Sequence, residues 1–408
     1  MHTLKNVFDS FTSENNAVKA VVLGTKKKRN NRAVQKLISD TDWHQIDPEK
    51  AKRYVRPIVE ELKAGEWIHS MPRYKNQLCA AAAGSKERNL YIPNLKDHVV
   101  HHMLIQATEE AFMRGMHPHC CGSVPGRGIK HVIKTVRRWM QTDKECRYFV
   151  KLDIRHFFDS IDRDIMKRKL SEKIADKRIL EIFDQILCSA PVCCPIGYYP
   201  SPWLSNLYLQ DMDWFIEQQL YKERRGKRIK YVRHYLRYAD DMLLIGTSKT
   251  DLRKAVFAVR DYLRDELKLE LKNTWEIKRI GKHEDTEDGW KLKKGTYWCD
   301  IGGYKFCKDA MMIRGHLFLK ASRMARKMSR RGYWTEHQCH AINARIAWAE
   351  QAGSVNFIEK YIKPYINIKL TRRIIGDVDQ IRKFRTGQTG RSDIFRGQGY
   401  CQPQFQIG

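Results

Sequence analysis

The chain has 408 residues, with 76 Lys and Arg against 47 Asp and Glu, a formal net charge of +29 at pH 7. Hydrophobic residues make up 42% and aromatic residues 11%, enough to build packed cores, so a disordered chain is excluded, and the length suggests two or three domains. A charge this far from zero works against compactness by self-repulsion and points to a polyanionic partner, with nucleic acid ahead of an anionic membrane. No apolar run approaches the roughly 18 to 20 residues of a spanning helix, and Met1 to Lys5 lacks the apolar segment of a secretory signal. A cytoplasmic protein with no membrane partner is expected. The eleven Cys include no Cys-x-x-Cys pair. The adjacent pairs Cys120-Cys121 and Cys193-Cys194 suit neither a tetrahedral zinc site nor a disulfide within the pair. They are expected to be reduced and mostly buried, with a Cys/His zinc site at His117, His119, Cys120 and Cys121 as a minor alternative.

Residues 1–80 read as a basic extension, with the densest charge run at Lys26 to Arg29 and a helical pattern over Ala51 to Lys63. A helix is expected over Asp97 to Phe112. The loop Gly122-Ser-Val-Pro-Gly-Arg-Gly128 follows, and its glycines imply a sharp turn or a close backbone approach. A further helix covers Ile129 to Met140. Arg147 to Ile154 alternates apolar residues at period two and reads as a strand ending on an acid, Asp153. After a charged helical stretch, Pro195 to Pro202 interrupts regular structure, and Trp203 to Leu220 resumes a helix. The apolar runs His234 to Tyr238 and Met242 to Ile245 flank Asp240-Asp241, the pattern of a tight hairpin with acids at its tip. Leu252, Val256, Val259, Leu263 and Leu267 recur at helical spacing over Asp251 to Leu267. Gly281 to Gly295 is charged and expected as a surface loop, and Tyr297 to Phe306 as another hairpin. Arg314 to about Arg382 reads as basic and mostly helical, and 383–408 as a mobile tail.

Asp153, Asp240 and Asp241 stand out in so cationic a chain. Two acids at a hairpin tip and a third from a neighbouring strand can hold two Mg²⁺ ions about 3.5 to 4 Å apart, which activates a 3′-hydroxyl and stabilises departing pyrophosphate. An isolated Asp-Asp pair in a turn is ordinarily solvated and inert, so the ordered set carries the signal. Lys-Leu-Asp153-Ile-Arg-His-Phe-Phe158-Asp-Ser-Ile161, then Pro195-Ile-Gly197-Tyr-Tyr-Pro-Ser201-Pro202 running into Asn206-Leu-Tyr-Leu, then Arg237-Tyr238-Ala-Asp240-Asp241 resemble, in order and spacing, the three palm motifs of reverse transcriptases. The resemblance extends from about Lys86 to about Tyr365.

It implies an α+β right-hand polymerase fold: fingers 81–146, palm 147–307 with a fingers-like insertion at about 165–194, an α-helical thumb 308–382. Asp153, Asp240 and Asp241 would hold two Mg²⁺, with the carbonyl of Ile154 as an extra oxygen ligand. Arg88, with Lys86 second, would contact the incoming triphosphate, and Arg127 the template backbone. Phe158 would sit under the nucleotide sugar and favour dNTPs, while Phe157 belongs to the core. Ile196, Gly197 and Ser201 would line the nascent base pair, and Tyr238 would pack near the primer end. Asp300-Ile-Gly302-Gly303-Tyr304 resembles the primer grip, which gives Gly302, Gly303 and Tyr304. On the thumb, Arg323, Arg326, Lys327, Arg330 and Arg331 are spaced to fill one helical face that would track duplex phosphates.

Three departures mark this chain. Ile196 stands where most retroviral-type enzymes carry Gln, which implies altered fidelity or template preference. Ser201-Pro202 replaces the Ser-Gln of diversity-generating retroelements. Trp275 stands where many relatives have a Lys proposed to protonate pyrophosphate, and Lys272 and Lys278 are the candidates to replace it. No segment after the thumb resembles a maturase, DNA-binding, RNase H or endonuclease domain. The implied function is RNA-directed DNA synthesis, cDNA made from an RNA template, similar to the stand-alone defence-associated reverse transcriptases of bacteria that act against phage and copy a structured non-coding RNA. The alternatives are a diversity-generating or retron-type enzyme, and an RNA-dependent RNA polymerase or a silent RNA-binding protein. Oligomeric state is left open.

Overall fold

The computed structural model describes residues 3–42, 45–81, 84–286, 289–331 and 333–386. Contacts divide the chain into a first unit of Met1–Leu37, Pro48–Gly302 and Cys307–Asp309, and a second of Ile38–Asp47, Gly303–Phe306 and the residues from Ala310 onward.

In the first unit, α1 (Phe8–Phe11), α2 (Glu14–Thr25) and α3 (Arg32–Gln35) precede α4 (Pro48–Ala64), which buries Ala51, Val55, Ile58 and Leu62 at the expected helical spacing. Ser13 caps α2 by accepting from the Asn16 amide. The first residues pack into this unit: Val7 and Phe8 amides donate to Asp176 at 3.0 and 3.1 Å, and Phe11, Ala17 and Val21 are fully buried. Strands β1 (Arg73–Ala81) and β2 (Gly84–Ile92) pair antiparallel across the boundary expected at 80/81. Helix α5 (Leu95–Met113), capped by Asn94, is buried on most sides, and α6 (Ile129–Thr142) follows the glycine loop.

Strand β3 (Tyr148–Leu152) lies at the centre of the main sheet. Segment 165–194, expected as an insertion, forms most of α7 (Arg163–Lys173) and α8 (Lys177–Cys188), which pack their apolar faces within this same unit. The helix expected over Trp203 to Leu220 is broken at Leu209 into α9 (Ser201–Tyr208) and α10 (Gln210–Gln218). A hairpin, β4 (Tyr221–Arg224) and β5 (Lys227–Lys230), precedes β6 (His234–Tyr238) and β7 (Asp241–Gly246). Helix α11 (Lys249–Leu267) buries the predicted apolar stripe, and β8 (Lys278–Arg279) completes a four-stranded sheet of order β6-β7-β3-β8. The expected loop at 281–295 contains a further antiparallel hairpin, β9 (His283–Thr286) with β10 (Gly289–Leu292). Main-chain pairing organises a segment whose charge reads as loop. Strand β11 (Cys299–Ile301) ends the sheet elements of this unit.

In the second unit, β12 (Tyr304–Phe306) pairs antiparallel with β13 (Met311–Ile313). Helices α12 (Gly315–Ser329), α13 (Glu336–Gln351), α14 (Val355–Tyr361) and α15 (Ile368–Thr386) follow, with Ala321, Ala325, Met328, Cys339, Ile342 and Ile346 in their core. Thr335 and Gln338 form a capping box on α13. Of the tail expected at 383–408, residues 383–386 continue α15 and the rest lies outside the described residues. No described helix is long and apolar enough to cross a membrane.

Helix α5 also carries a buried histidine cluster. His69 Nε2 lies 3.0 Å from His101 Nε2, and the His102 ring stacks on Tyr199 at 3.6 Å. Burial, reinforced by the neighbouring charge of Lys28, pulls His98 down to about 4; burial, His98 and Lys28 pull His102 down to about 3. An imidazole held neutral in the fold but free to take a proton when unfolded makes stability rise with pH. Stability should therefore be level above the ordinary value of 6.5 and decline as the pH falls from there toward 4. Thermal melts followed by circular dichroism should show a Tm roughly 5 to 10 °C lower at about pH 5 than at about pH 7.5. His98→Gln with His102→Gln should narrow that gap, and an unchanged Tm would count against this account.

Candidate active site

Tyr238 pairs with Asp241 across β6 and β7, so only Ala239 and Asp240 form the turn, with Ala239 in the left-handed region at φ +56°. On the other side of β7, Leu152 of β3 pairs with Met242, and Asp153, one residue further along, emerges beside Asp241. All three acids are partly exposed. Burial, followed by the charges of Asp241 and Asp153, holds the Asp240 carboxyl above its ordinary value, the electrostatic sign that three like charges share one site. Two ammonium groups stand against them: Lys272 Nζ lies 2.8 Å from Asp153 Oδ1 and Lys151 Nζ 3.9 Å from Asp241 Oδ1. Clustered hard oxygen donors already drawing cations toward them fit a divalent ion such as Mg²⁺. Ile154 bridges Leu271 in a pair whose hydrogen bonds run instead through Lys272 N to Asp153 O, 2.9 Å, and Arg155 N to Glu270 O, 2.8 Å. The Ile154 carbonyl takes no part in that pairing, as an oxygen ligand requires.

A buried network holds the turn from behind, and the sequence reading passed over it. Arg237 is fully buried. Its guanidinium grips Asp213 with two bonds of 2.7 and 2.6 Å and donates to Asn206 Oδ1 at 2.9 Å and to the Ala239 carbonyl at 3.0 Å. Tyr235 Oη adds a bond of 2.7 Å to Asp213, and Asn206 Nδ2 donates to the Gly122 carbonyl at 2.7 Å. Segment 119–122 runs beside β6, with Arg237 N donating to His119 O and Cys121 N to Arg237 O. A Cβ on Gly122 would collide with the Ala239 amide, which explains the first glycine of the loop. The available signal was a charged residue at an inward strand position, one residue before the Tyr-x-Asp-Asp box.

Residues 80–274 match the family model described as Reverse transcriptase (RNA-dependent DNA polymerase). Protein YkfC of Escherichia coli is 25% identical over 250 residues, covering 53% of this chain and 64% of its own length. The retron Ec73 reverse transcriptase of Escherichia coli is 25% identical over 170 residues, covering 40% of this chain and 50% of its own. The chain thus spans two thirds or less of these curated relatives. Among solved structures, apo telomerase from Candida tropicalis aligns with a TM-score of 0.44 and 10% identity, covering 78% of this chain and 63% of that one.

The reverse-transcriptase domain places its other expected site residues unevenly. Arg88 is exposed on β2, facing Gln77 of β1. Lys86 is two residues away on the same strand, its side chain outside the described residues. Phe158 is half-buried and Phe157 buried, as expected. Ile196 and Gly197 lie against the end of β2: Tyr91 N donates to Ile196 O at 2.8 Å, and Gly197, at φ +115°, leaves no room for a Cβ beside the Tyr91 carbonyl. Ser201 departs from its expected role, because its buried hydroxyl donates to the Pro195 carbonyl at 2.7 Å and braces the loop. Arg127 donates to the His117 carbonyl at 2.7 Å, so part of its guanidinium shapes the loop. Tyr238 is half-buried.

Tyr304 is not a surface contact for primer. It is fully buried in the second unit, stacked on Trp348 at 5.5 Å with its hydroxyl 3.2 Å from Gln351 Oε1. Gly302 and Gly303 both have positive φ, +60° and +89°, and a Cβ would meet Ile129 at the first and Trp348 at the second. Arg323, Arg326 and Lys327 are exposed along one side of α12, opposite its buried Ala321, Ala325 and Met328, and the exposed Arg330 and Arg331 lie just past the helix end. Lys278 pairs with Glu276 at 3.0 Å, so of the two lysines only Lys272 reaches the acids.

The alternative zinc group does not assemble: Cys120 donates to Asn206 and Cys121 to the His119 carbonyl. Among the described residues, metal-ligand spacing is met by Asp143, Cys146 and His234. There the carboxylate oxygen is already taken by Arg233 at 2.9 Å and His234 at 2.8 Å. Nine described cysteines are free, and all but Cys188 are buried.

Proposed function

We propose that the protein is an RNA-directed DNA polymerase that copies an RNA template into cDNA from dNTPs. The observation that carries this is the convergence of Asp153 with the Asp240-Asp241 turn inside a reverse-transcriptase domain. Asp153, Asp240, Asp241 and the Ile154 carbonyl would hold two Mg²⁺, which when bound lower the pKa of the primer 3′-hydroxyl and neutralise charge on the leaving pyrophosphate. Arg88 meets the triphosphate. The Phe158 ring excludes a 2′-hydroxyl, and the Ile196–Gly197 backbone borders the nascent base pair. Lys272, the ammonium nearest the acids, is the proton donor to pyrophosphate, in place of the lysine that Trp275 displaces. Fingers at 81–146, palm at 147–307 and thumb at 308–382 are the matching division, with the α12 cations on duplex phosphates.

The finer reading is antiphage defence in the bacterial cytoplasm, with a structured non-coding RNA as template. It is supported by the Ile-Gly-x-x-x-Ser-Pro box and by cationic charge beyond what a short primer–template needs. The match to the retron Ec73 enzyme favours a retron-type role as the second reading.

Purified protein given a primed RNA template should incorporate dNTPs over NTPs, and a chelator of divalent ions should abolish incorporation. Preference for NTPs would reassign it as an RNA polymerase, and tight RNA binding without any extension would reassign it as a silent binder. Sequencing the nucleic acid that co-purifies with it identifies template and product together.

A further inference from the structure

The β4–β5 hairpin takes no part in the site described above. Its ten residues, Tyr221 to Lys230, hold six Lys and Arg against the single acid Glu223. The turn is Arg225-Gly226, with φ of +51° and +69°, the pair of left-handed residues that suits the twist of a two-residue hairpin. Arg224 and Lys227 are directly paired across it, and like charges in that position weaken a ribbon.

A two-stranded hairpin is marginal by itself, and this one is fastened at its base. Tyr231 N donates to Leu220 O at 2.8 Å, Lys222 grips the Asp251 carboxylate at 2.8 and 2.6 Å, and Lys230 meets Glu217 at 2.7 Å. Arg228 lies 3.8 Å from Glu223 and over the Tyr221 ring at 4.5 Å. The base therefore uses its charges internally. The tip does not: Arg224, Arg225 and Lys227 are exposed and, among the described residues, pair with no carboxylate. The hairpin joins the sheet at the His234 end of β6, whereas Asp240 follows the Tyr238 end.

We propose that the tip Arg224–Lys227 docks on the sugar–phosphate backbone of base-paired RNA, away from the point of synthesis. This rests on the RNA-copying function argued above. Arginine forks match phosphate oxygens bidentately, and an A-form duplex offers proteins mainly phosphates, 2′-hydroxyls and shape. A protein partner fits less well, because interface centres are built on aromatic and apolar anchors, and the tip has none.

The test is the triple variant Arg224→Gln, Arg225→Gln, Lys227→Gln in the full chain. Its affinity for a labelled RNA stem-loop, measured by fluorescence anisotropy over a KCl series, should fall about 10- to 100-fold near physiological salt, with a log–log salt slope shallower by about 2 to 3. Extension of a short oligo(dT) primer on poly(A) should be unchanged. The charge-conserving variant Arg224→Lys with Lys227→Arg should keep the wild-type slope and shows that the ribbon tolerates substitution. An unchanged slope in the triple variant overturns the proposal. So does an equal loss of oligo(dT) extension, which would place the tip in the catalytic cleft. If the wild type extends no primer, the function above fails while the salt slope still decides the docking.

Discussion

Replacing Asp240 by Asn leaves a protein that folds and binds primed RNA but extends it at least about 1,000-fold more slowly, a loss of roughly 4 kcal/mol in transition-state stabilisation. The amide keeps the size and turn position of the carboxylate while removing the charge that a divalent ion requires. The fold should not suffer. Burial and the charges of Asp241 and Asp153 already disfavour the ionised form of Asp240, so neutralising it relieves repulsion, and Tm should be unchanged or higher. Single-nucleotide extension on a primed RNA, gel-shift binding of the same RNA and a thermal melt report the three quantities separately. Retained synthesis would sink the assignment of the site, and a collapsed Tm would make Asp240 a structural residue.

Arg237→Leu should be the most damaging substitution away from the acids. It leaves Asp213 and the Tyr235 hydroxyl buried without their cation, and breaking a buried pair from one side costs about 3 to 5 kcal/mol. It also releases the Ala239 carbonyl, which Arg237 holds at 3.0 Å from behind the Ala239–Asp240 turn. The two effects separate in the double variant Arg237→Leu with Asp213→Leu. Removing both charges should restore much of the stability, whereas extension should stay depressed, because nothing replaces the guanidinium that Ala239 O accepts from. Urea unfolding and primer extension on the same preparations check this. Full recovery of both would reduce Arg237 to a packing residue.

The sequence exposed the parts of the fold in which local pattern and burial agree. The apolar stripe of α11, the alternation of β3 and the Asp-Asp turn between two apolar strands are all visible as period and punctuation, and they place the three acids. It hid the elements made by main-chain pairing alone. Residues 73–77 of β1 and the strands β4 and β5 are mostly polar and largely exposed, so Arg-Tyr-Lys-Asn-Gln and Tyr-Lys-Glu-Arg-Arg carry no period-two signal. Site residues failed in the opposite direction. Ser201 and Tyr304 have the right chemistry for nucleotide or primer, but tertiary packing has spent the Ser201 hydroxyl on Pro195 O and the Tyr304 ring on Trp348. Lys272 was one of two candidates by sequence, and only the pairing of residues 270–272 beside Ile154 brings its ammonium to Asp153.

The division of the chain into two units also bears on how the protein could be dissected. The backbone passes between them after Leu37, Asp47, Gly302, Phe306 and Asp309, so neither unit is a single continuous stretch. Cutting the chain near residue 302 to release the first unit would leave Ile38–Asp47 in the fragment without the rest of its own unit and remove Cys307–Asp309, whose Asp309 carboxylate accepts from the His283 amide at 3.1 Å. Trimming the first 47 residues would take a piece from both units at once. Limited proteolysis should therefore yield nicked chains that stay associated, and the second unit will need the upstream segment Ile38–Asp47 supplied in trans to be studied alone.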